Sequence, residues 1–180
     1  PPPSFDASHE PESLAPAPTS EGRIAPEELR ALRSLLGPDL ALSVSLAKNE
    51  GSPQVATSAV TPDGTFVFRS VDPGSFSLRL HGRVRQRSNA TVNFTLDLGA
   101  AQLGEAALSP AVFALPVLSW APIAVHVQGQ GPAALTLRLV DPSAGIIACT
   151  ATVRPGENGD YSFQRLLHGS YRPEAPSGAA

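Results

Sequence analysis

Gly64-Thr65-Phe66-Val67-Phe68-Arg69-Ser70-Val71-Asp72-Pro73-Gly74-Ser75-Phe76 and Gly159-Asp160-Tyr161-Ser162-Phe163-Gln164-Arg165-Leu166-Leu167-His168-Gly169-Ser170-Tyr171 are one pattern written twice, 95 positions apart and without a gap. In each, a glycine opens a tight turn and two aromatics follow, two residues from one another. Residues at i and i+2 of a strand share a face, so each aromatic pair is aimed into a core. Each ring contributes roughly 1.5–3 kcal/mol when fully buried. Val71 and Leu166, three positions further on, close that core. The second glycine, Gly74 or Gly169, predicts a turn with positive φ, and Phe76 or Tyr171 begins the returning strand. The same offset lays Leu135, Leu137 and Leu139 on Leu40, Leu42 and Val44, so two separate blocks point to an internal duplication.

Outward from this block the hydrophobic period stays at two. Leu40, Leu42, Val44 and Leu46 alternate with small or polar residues, as do Phe76, Leu78 and Leu80, then Val92, Phe94, Leu96 and Leu98. In the second half Ile123, Val125 and Val127 precede Leu135, Leu137 and Leu139. This alternation predicts strands with one buried face. Turn signals separate them: Asn49-Glu50-Gly51-Ser52-Pro53, Pro62-Asp63-Gly64, Asp72-Pro73-Gly74, Asp141-Pro142-Ser143 and Pro155-Gly156-Glu157-Asn158-Gly159. One helix is predicted, over 26–36. Pro26 suits its first position, Glu27 and Glu28 complement its positive end, and Arg30 and Arg33 lie later. Leu29, Leu32, Leu35 and Leu36 share a face, and Gly37-Pro38 is the stop. The predicted fold class is all-β: tandem antiparallel Ig-like β-sandwich modules with one short N-terminal helix.

The Gly64-x-Phe66-x-Phe68-x-x-Val71-x-Pro73-Gly74-x-Phe76-x-Leu78 series resembles the carboxypeptidase regulatory-like and collagen-binding-protein B-type modules. The resemblance implies a transthyretin-like β-sandwich. Similar modules recur in tandem in bacterial surface proteins and in the Nodal modulator family of the endoplasmic reticulum. The second copy departs from the pattern, with Leu166-Leu167-His168 at the Val-x-Pro step and a Pro-rich stretch after Tyr171. Transthyretin-like folds include a hydroxyisourate hydrolase, but His168-Gly169-Ser170-Tyr171-Arg172 does not reproduce its C-terminal Tyr-Arg-Gly-Ser motif.

The expected organisation is a disordered Pro-rich tail over 1–24, a short helix and linker over 25–38, and a first module over 39–104. An apolar linker over 105–122, a second module over 123–175 and a tail over 176–180 follow. The copies are unequal. The strand at 92–98 has no counterpart after Tyr171, and the strand at 123–127 has none before Leu40. Two arrangements fit: two modules truncated at their ends, or halves sharing strands in one composite sandwich. The first is expected, because the chain has no methionine and begins Pro1-Pro2-Pro3 without a leader pattern, as a piece of a longer protein does. Unpaired sheet edges would then invite a protein partner or self-association.

Composition excludes several classes. A net charge of −3 gives no global attraction to nucleic acid. Pro110, Pro116 and Pro122 interrupt the most apolar stretch, so no membrane span is expected. Cys149 is the single cysteine and reads as an inert buried thiol, with no disulfide or cysteine-based metal site. The histidines His9, His81, His126 and His168 have no metal-ligand spacing. No nucleophile elbow, phosphate-cradling loop or calcium loop is present, so no catalytic, cofactor or metal site is expected.

Two features remain as candidate sites. Arg79, His81, Arg83, Arg85 and Arg87 occupy every second position and predict a basic stripe on one strand face, for an anionic glycan or an acidic partner. No aromatics interleave for base stacking, which argues against nucleic acid. Asn89-Ala90-Thr91 and Asn93-Phe94-Thr95 are N-glycosylation sequons. The functional expectation is a non-catalytic structural or protein-interaction module pair from a larger extracellular, cell-surface or secretory-lumen protein. The alternative is an accessory, regulatory or glycan-binding region of an enzyme whose catalytic domain lies elsewhere.

Overall fold

The computed structural model describes residues 18–49, 52–105, 107–128 and 130–174. Residues 1–17 of the tail expected over 1–24, and the tail expected over 176–180, lie outside the described residues. In chain order the elements are β1 (Thr19–Ile24), α1 (Pro26–Leu36), β2 (Ala41–Ala47), β3 (Gln54–Ala59), β4 (Thr65–Arg69), β5 (Gly74–Arg85) and β6 (Thr91–Leu103). They continue as β7 (Leu108–Ser109), β8 (Val112–Phe113), β9 (Trp120–Val125), β10 (Leu135–Leu139), β11 (Ile146–Val153), β12 (Tyr161–Leu167) and β13 (Tyr171–Glu174).

The fold is all-β and sandwich-like. One large sheet runs β13-β10-β11-β6-β5-β2-β3, with β7 hooked onto β6. Two small sheets, β4-β1-β8 and β12-β9, supply the other layer. The predicted inward residues, among them Val44, Leu46, Leu78, Leu80, Phe94 and Leu96, are buried in one continuous core with Phe66, Phe68, Tyr161 and Phe163. The helix buries Leu29, Leu32 and Leu36, while Leu35 sits at the edge of the stripe and is exposed.

The strand pairings of the first half recur in the second. β4 pairs with β1 through Phe66↔Gly22, and β12 with β9 through Tyr161↔Val125. β9 is therefore the counterpart of β1. β2 pairs with β3 through Val44↔Ser58 and with β5 through Val44↔Leu80. β10 pairs with β11 through Leu135↔Val153 and with β13 through Leu139↔Tyr171. Val153 lies 95 positions after Ser58, but its partner Leu135 lies 91 after Val44. The expected superposition of Leu135, Leu137 and Leu139 on Leu40, Leu42 and Val44 is thus displaced by four residues. An even shift keeps every side chain on its face, which is why the sequence pattern tolerates either alignment.

Other boundaries also change. The tail expected through residue 24 ends in a strand, β1, whose inward residues are Ser20, Gly22 and Ile24. Gly22 lies under the Phe66 ring, where a Cβ would come within 2.5 Å of it. A small residue is required there, so the strand carries little hydrophobic signal. The expected linker over 105–122 holds β7, β8 and the start of β9, and buries Leu108 and Phe113. The strand expected at 123–127 runs instead over Trp120–Val125. The Pro-rich stretch after Tyr171 does form a strand, β13. Positive φ falls on the first glycine of each block, 89° at Gly64 and 79° at Gly159. In the turn before the second glycine, Ser70 takes the left-handed conformation at φ 56°, Gly74 begins β5, and Gly169 at 159° is nearly extended.

The two halves meet strand to strand. β11 pairs antiparallel with β6, from Thr152↔Thr91 to Ile146↔Leu96. The edge that the first half leaves after β6 is therefore covered by the second half, and the large sheet crosses both. A polar clamp reinforces the junction. Gln86, buried, donates its Nε2 to the Arg165 carbonyl at 2.6 Å and accepts at Oε1 from the Gln164 N–H at 2.8 Å. Gln164 Oε1 in turn accepts from the Arg87 N–H at 3.0 Å.

Candidate functional site

The outer face of the large sheet gathers the sequence-predicted residues. β5 alternates strictly: Leu78, Leu80, Gly82 and Val84 are buried, while Arg79, His81, Arg83 and Arg85 point outward. Gly82 sits beneath Phe94, whose ring occupies the space a Cβ would need. Arg87 lies past the end of β5, in the turn toward β6, so the stripe ends at Arg85.

His81 is tied into the sheet. Its Nε2 lies 2.7 Å from Ser45 Oγ and 3.3 Å from Gln54 Nε2, and its Nδ1 lies 3.1 Å from Thr95 Oγ1. One ring thus links β3, β2, β5 and β6. With Ser45 and the Gln54 amide donating to Nε2 and Nδ1–H donating to Thr95, all three contacts suit the neutral imidazole. Burial, and then the adjacent Arg79 charge, hold His81 below the ordinary histidine range. Ser45 is buried at 1% exposure and the far ring nitrogen meets a hydroxyl, not a carboxylate. This geometry suits a sheet clamp, not an activated nucleophile, which needs an accessible oxygen and an orienting acid.

The registers place further side chains on this face, from the expected strands β6 and β10 and from β11 and β13, which the sequence pattern does not mark. Arg83 faces Asn93 on β6, Asn93 faces Thr150 on β11, Thr150 faces Arg138 on β10, and Arg138 faces Arg172 on β13. Arg85, Thr91, Thr152 and Thr136 form the neighbouring row, in which the Thr136 and Thr152 hydroxyls are hydrogen bonded at 2.8 Å. At the end of the sheet Arg83, Arg85, Arg154, Asp160 and Ser162 are among the residues that line an open groove of ≈ 810 Å³. Among the described residues Arg138 is ion-paired with Glu174 at 2.5 Å; the other arginines of this face make no ion pair. No signal in a single strand reveals this assembly, because its members are far apart in sequence.

Both sequon asparagines are exposed. Asn89 takes φ 60° in the β5–β6 turn, where the Gln86 N–H donates to the Ala90 carbonyl, and Asn93 stands on the outer face beside Arg83. The remaining candidates are dispersed. Cys149 is buried, and burial raises its thiol. His126 lies 2.6 Å from Asp160 on an exposed rim. The Thr61 and then the Thr65 hydroxyl hold Asp63 below the usual carboxylate range, in the turn before the duplicated block. Among the described residues no group of histidine, cysteine and carboxylate side chains is arranged to hold a metal, and no helix is long and apolar enough to cross a membrane. Compared with protein-family models, with curated proteins and with solved structures, the chain matches none.

Proposed function

We propose that this chain is a pair of non-catalytic Ig-like, transthyretin-like β-sandwich modules serving a structural and interaction role in a larger extracellular, cell-surface or lumenal protein. The observation that carries the reading is the repeated strand set joined edge to edge through β6 and β11. A unit that extends by strand addition is suited to building rods and scaffolds. The polar outer face, with grooves open to solvent, offers contact area in place of the enclosed, largely apolar pocket typical of small-molecule sites. The two edges of the large sheet differ in a way that fits partner contact. β13 carries Pro173, which cannot donate to an added strand, whereas β3 (Gln-Val-Ala-Thr-Ser-Ala) has neither proline nor charge.

Two measurements test the reading. Treatment of the folded chain with a serine-reactive fluorophosphonate is expected to leave it unlabelled; stoichiometric labelling of Ser45 would overturn the non-catalytic assignment. Glycopeptide mass analysis of the protein from a eukaryotic native source is expected to find an N-acetylhexosamine-linked glycan on Asn89 or Asn93. Unmodified asparagines at both sequons remove the support for a lumenal or extracellular setting.

A further inference from the structure

We infer that the outer face of the large sheet binds a linear sulfated glycan, laid across the strands along the row Arg83–Asn93–Thr150–Arg138–Arg172. This names the ligand class of the binding-module reading and rests on it. The chain carries a net charge of −3, yet this face is cationic. Its paired strands present Arg79, Arg83, Arg85, Arg138 and Arg172, and Arg154 continues β11 on the same side, against Asp97 and Glu174. The row spans four strand spacings from β5 to β13, or ~19 Å, which selects an extended ligand over a single anion. Guanidinium forks suit planar or tetrahedral oxyanions, and the Asn93 amide and Thr150 hydroxyl between them suit sugar hydroxyls. The site exists only because β11 pairs with β6, so neither half carries it alone. Aromatic residues of these strands, Phe76, Phe94 and Tyr171, belong to the inward set, leaving no stacking platform for a nucleic acid base.

The test uses the full chain and a fluorescently labelled heparin octasaccharide, read by anisotropy. Saturable binding is expected, weakening with added salt as exposed charges are screened. Arg83→Ala with Arg172→Ala is expected to weaken binding by at least ~10-fold. Arg30→Ala with Arg69→Ala, which removes the same charge from other surfaces, is expected to change it by less than ~2-fold. Circular dichroism confirms that each variant is folded; should the alanine pair unfold, Arg83→Gln with Arg172→Gln replaces it. Absence of saturable wild-type binding at ~0.15 M salt, equal losses in both pairs, or equal or tighter binding of a single-stranded DNA of matched charge overturns the proposal. A folded chain that ignores the octasaccharide overturns the glycan assignment and leaves the non-catalytic module reading standing, whereas labelling of Ser45 by the fluorophosphonate strikes that reading whatever the octasaccharide does.

Discussion

The first and second halves repeat one strand plan and differ in what surrounds it. In the first, an 11-residue helix lies between β1 and β2, and a sixth strand, β6, flanks β5 along its full length. In the second, no helix lies between β9 and β10 among the described residues, and the described part of β13 is four residues long with one neighbour. The second half instead places β11 on β6. One strand therefore serves both halves, and the comparison teaches that the smaller copy draws its sheet continuity from the larger one. The two halves share one set of strand pairings without being symmetric, with β6 as their joint.

The largest expected effect comes from cutting that joint. Phe94 is buried in β6, faces Cys149 on β11 and packs edge-on against Trp120 of β9 at 5.4 Å between ring centroids. Phe94→Ala is expected to cost ~3–5 kcal/mol, measured by urea unfolding, with both halves lost in one transition. Two resolved transitions, with only the second-half one displaced, would break the picture of a single shared sheet. A smaller effect is expected at the polar clamp. Gln86→Ala leaves the Arg165 carbonyl and the Gln164 N–H without their partner, at a cost of ~1–3 kcal/mol. An unchanged unfolding midpoint would show that strand pairing alone holds the halves together.

The smallest effect sharpens the contrast between the outer faces. His81 ties four strands of the first half, while the second half has the pH-insensitive Thr136–Thr152 hydroxyl pair. The folded-state pKa of His81 is depressed, so the unfolded chain binds the proton more readily. The corresponding stability is full above the unfolded value of ~6.5 and falls as pH drops below it toward the folded pKa. His81→Gln is expected to flatten that acid slope while leaving stability at pH 8 within about 1 kcal/mol. Hydrogen exchange at pH 5.5 is expected to rise first in β2 and β3, not in β10. A slope that survives the substitution would assign it to other groups.

Much of the plan was legible before any coordinates. The strands around Leu42–Leu46, Phe66–Phe68, Phe76–Leu80, Val92–Leu98, Leu135–Leu139 and Tyr161–Phe163 all announce themselves through large apolar residues at a period of two. The helix is equally local, since its caps act over a few residues, whereas the left-handed glycines are Gly64 and Gly159 and not the expected Gly74 and Gly169. Besides the two-residue strands β7 and β8 in the expected linker, the strands without such a pattern are β1, β3, β11 and β13, each for a physical reason. β1 turns Ser20 and Gly22 inward, with Gly22 under the Phe66 ring, and β3 is an edge strand whose inward Ala56 and Ser58 are only half-buried, so neither strand shows a run of large apolar residues. In β11 the adjacent Ile146 and Ile147 break the alternation at a register shift, and in β13 Pro173 imitates a loop.

The candidate site divides the same way. The outward alternation of Arg79, His81, Arg83 and Arg85 follows from strand geometry and could be read from spacing alone. That Arg87 leaves the stripe, and that Arg138, Arg154 and Arg172 join the face, depends on which strands become neighbours. Sequence by itself determined the β class and the inward–outward sense of each strongly patterned strand, because these follow from side-chain period. Only the tertiary structure decided the pairing of β6 with β11, the four-residue register difference between the copies and the row of arginines across both halves. Those are choices among non-local pairings that satisfy the same local pattern equally well, and packing of the shared core selects between them.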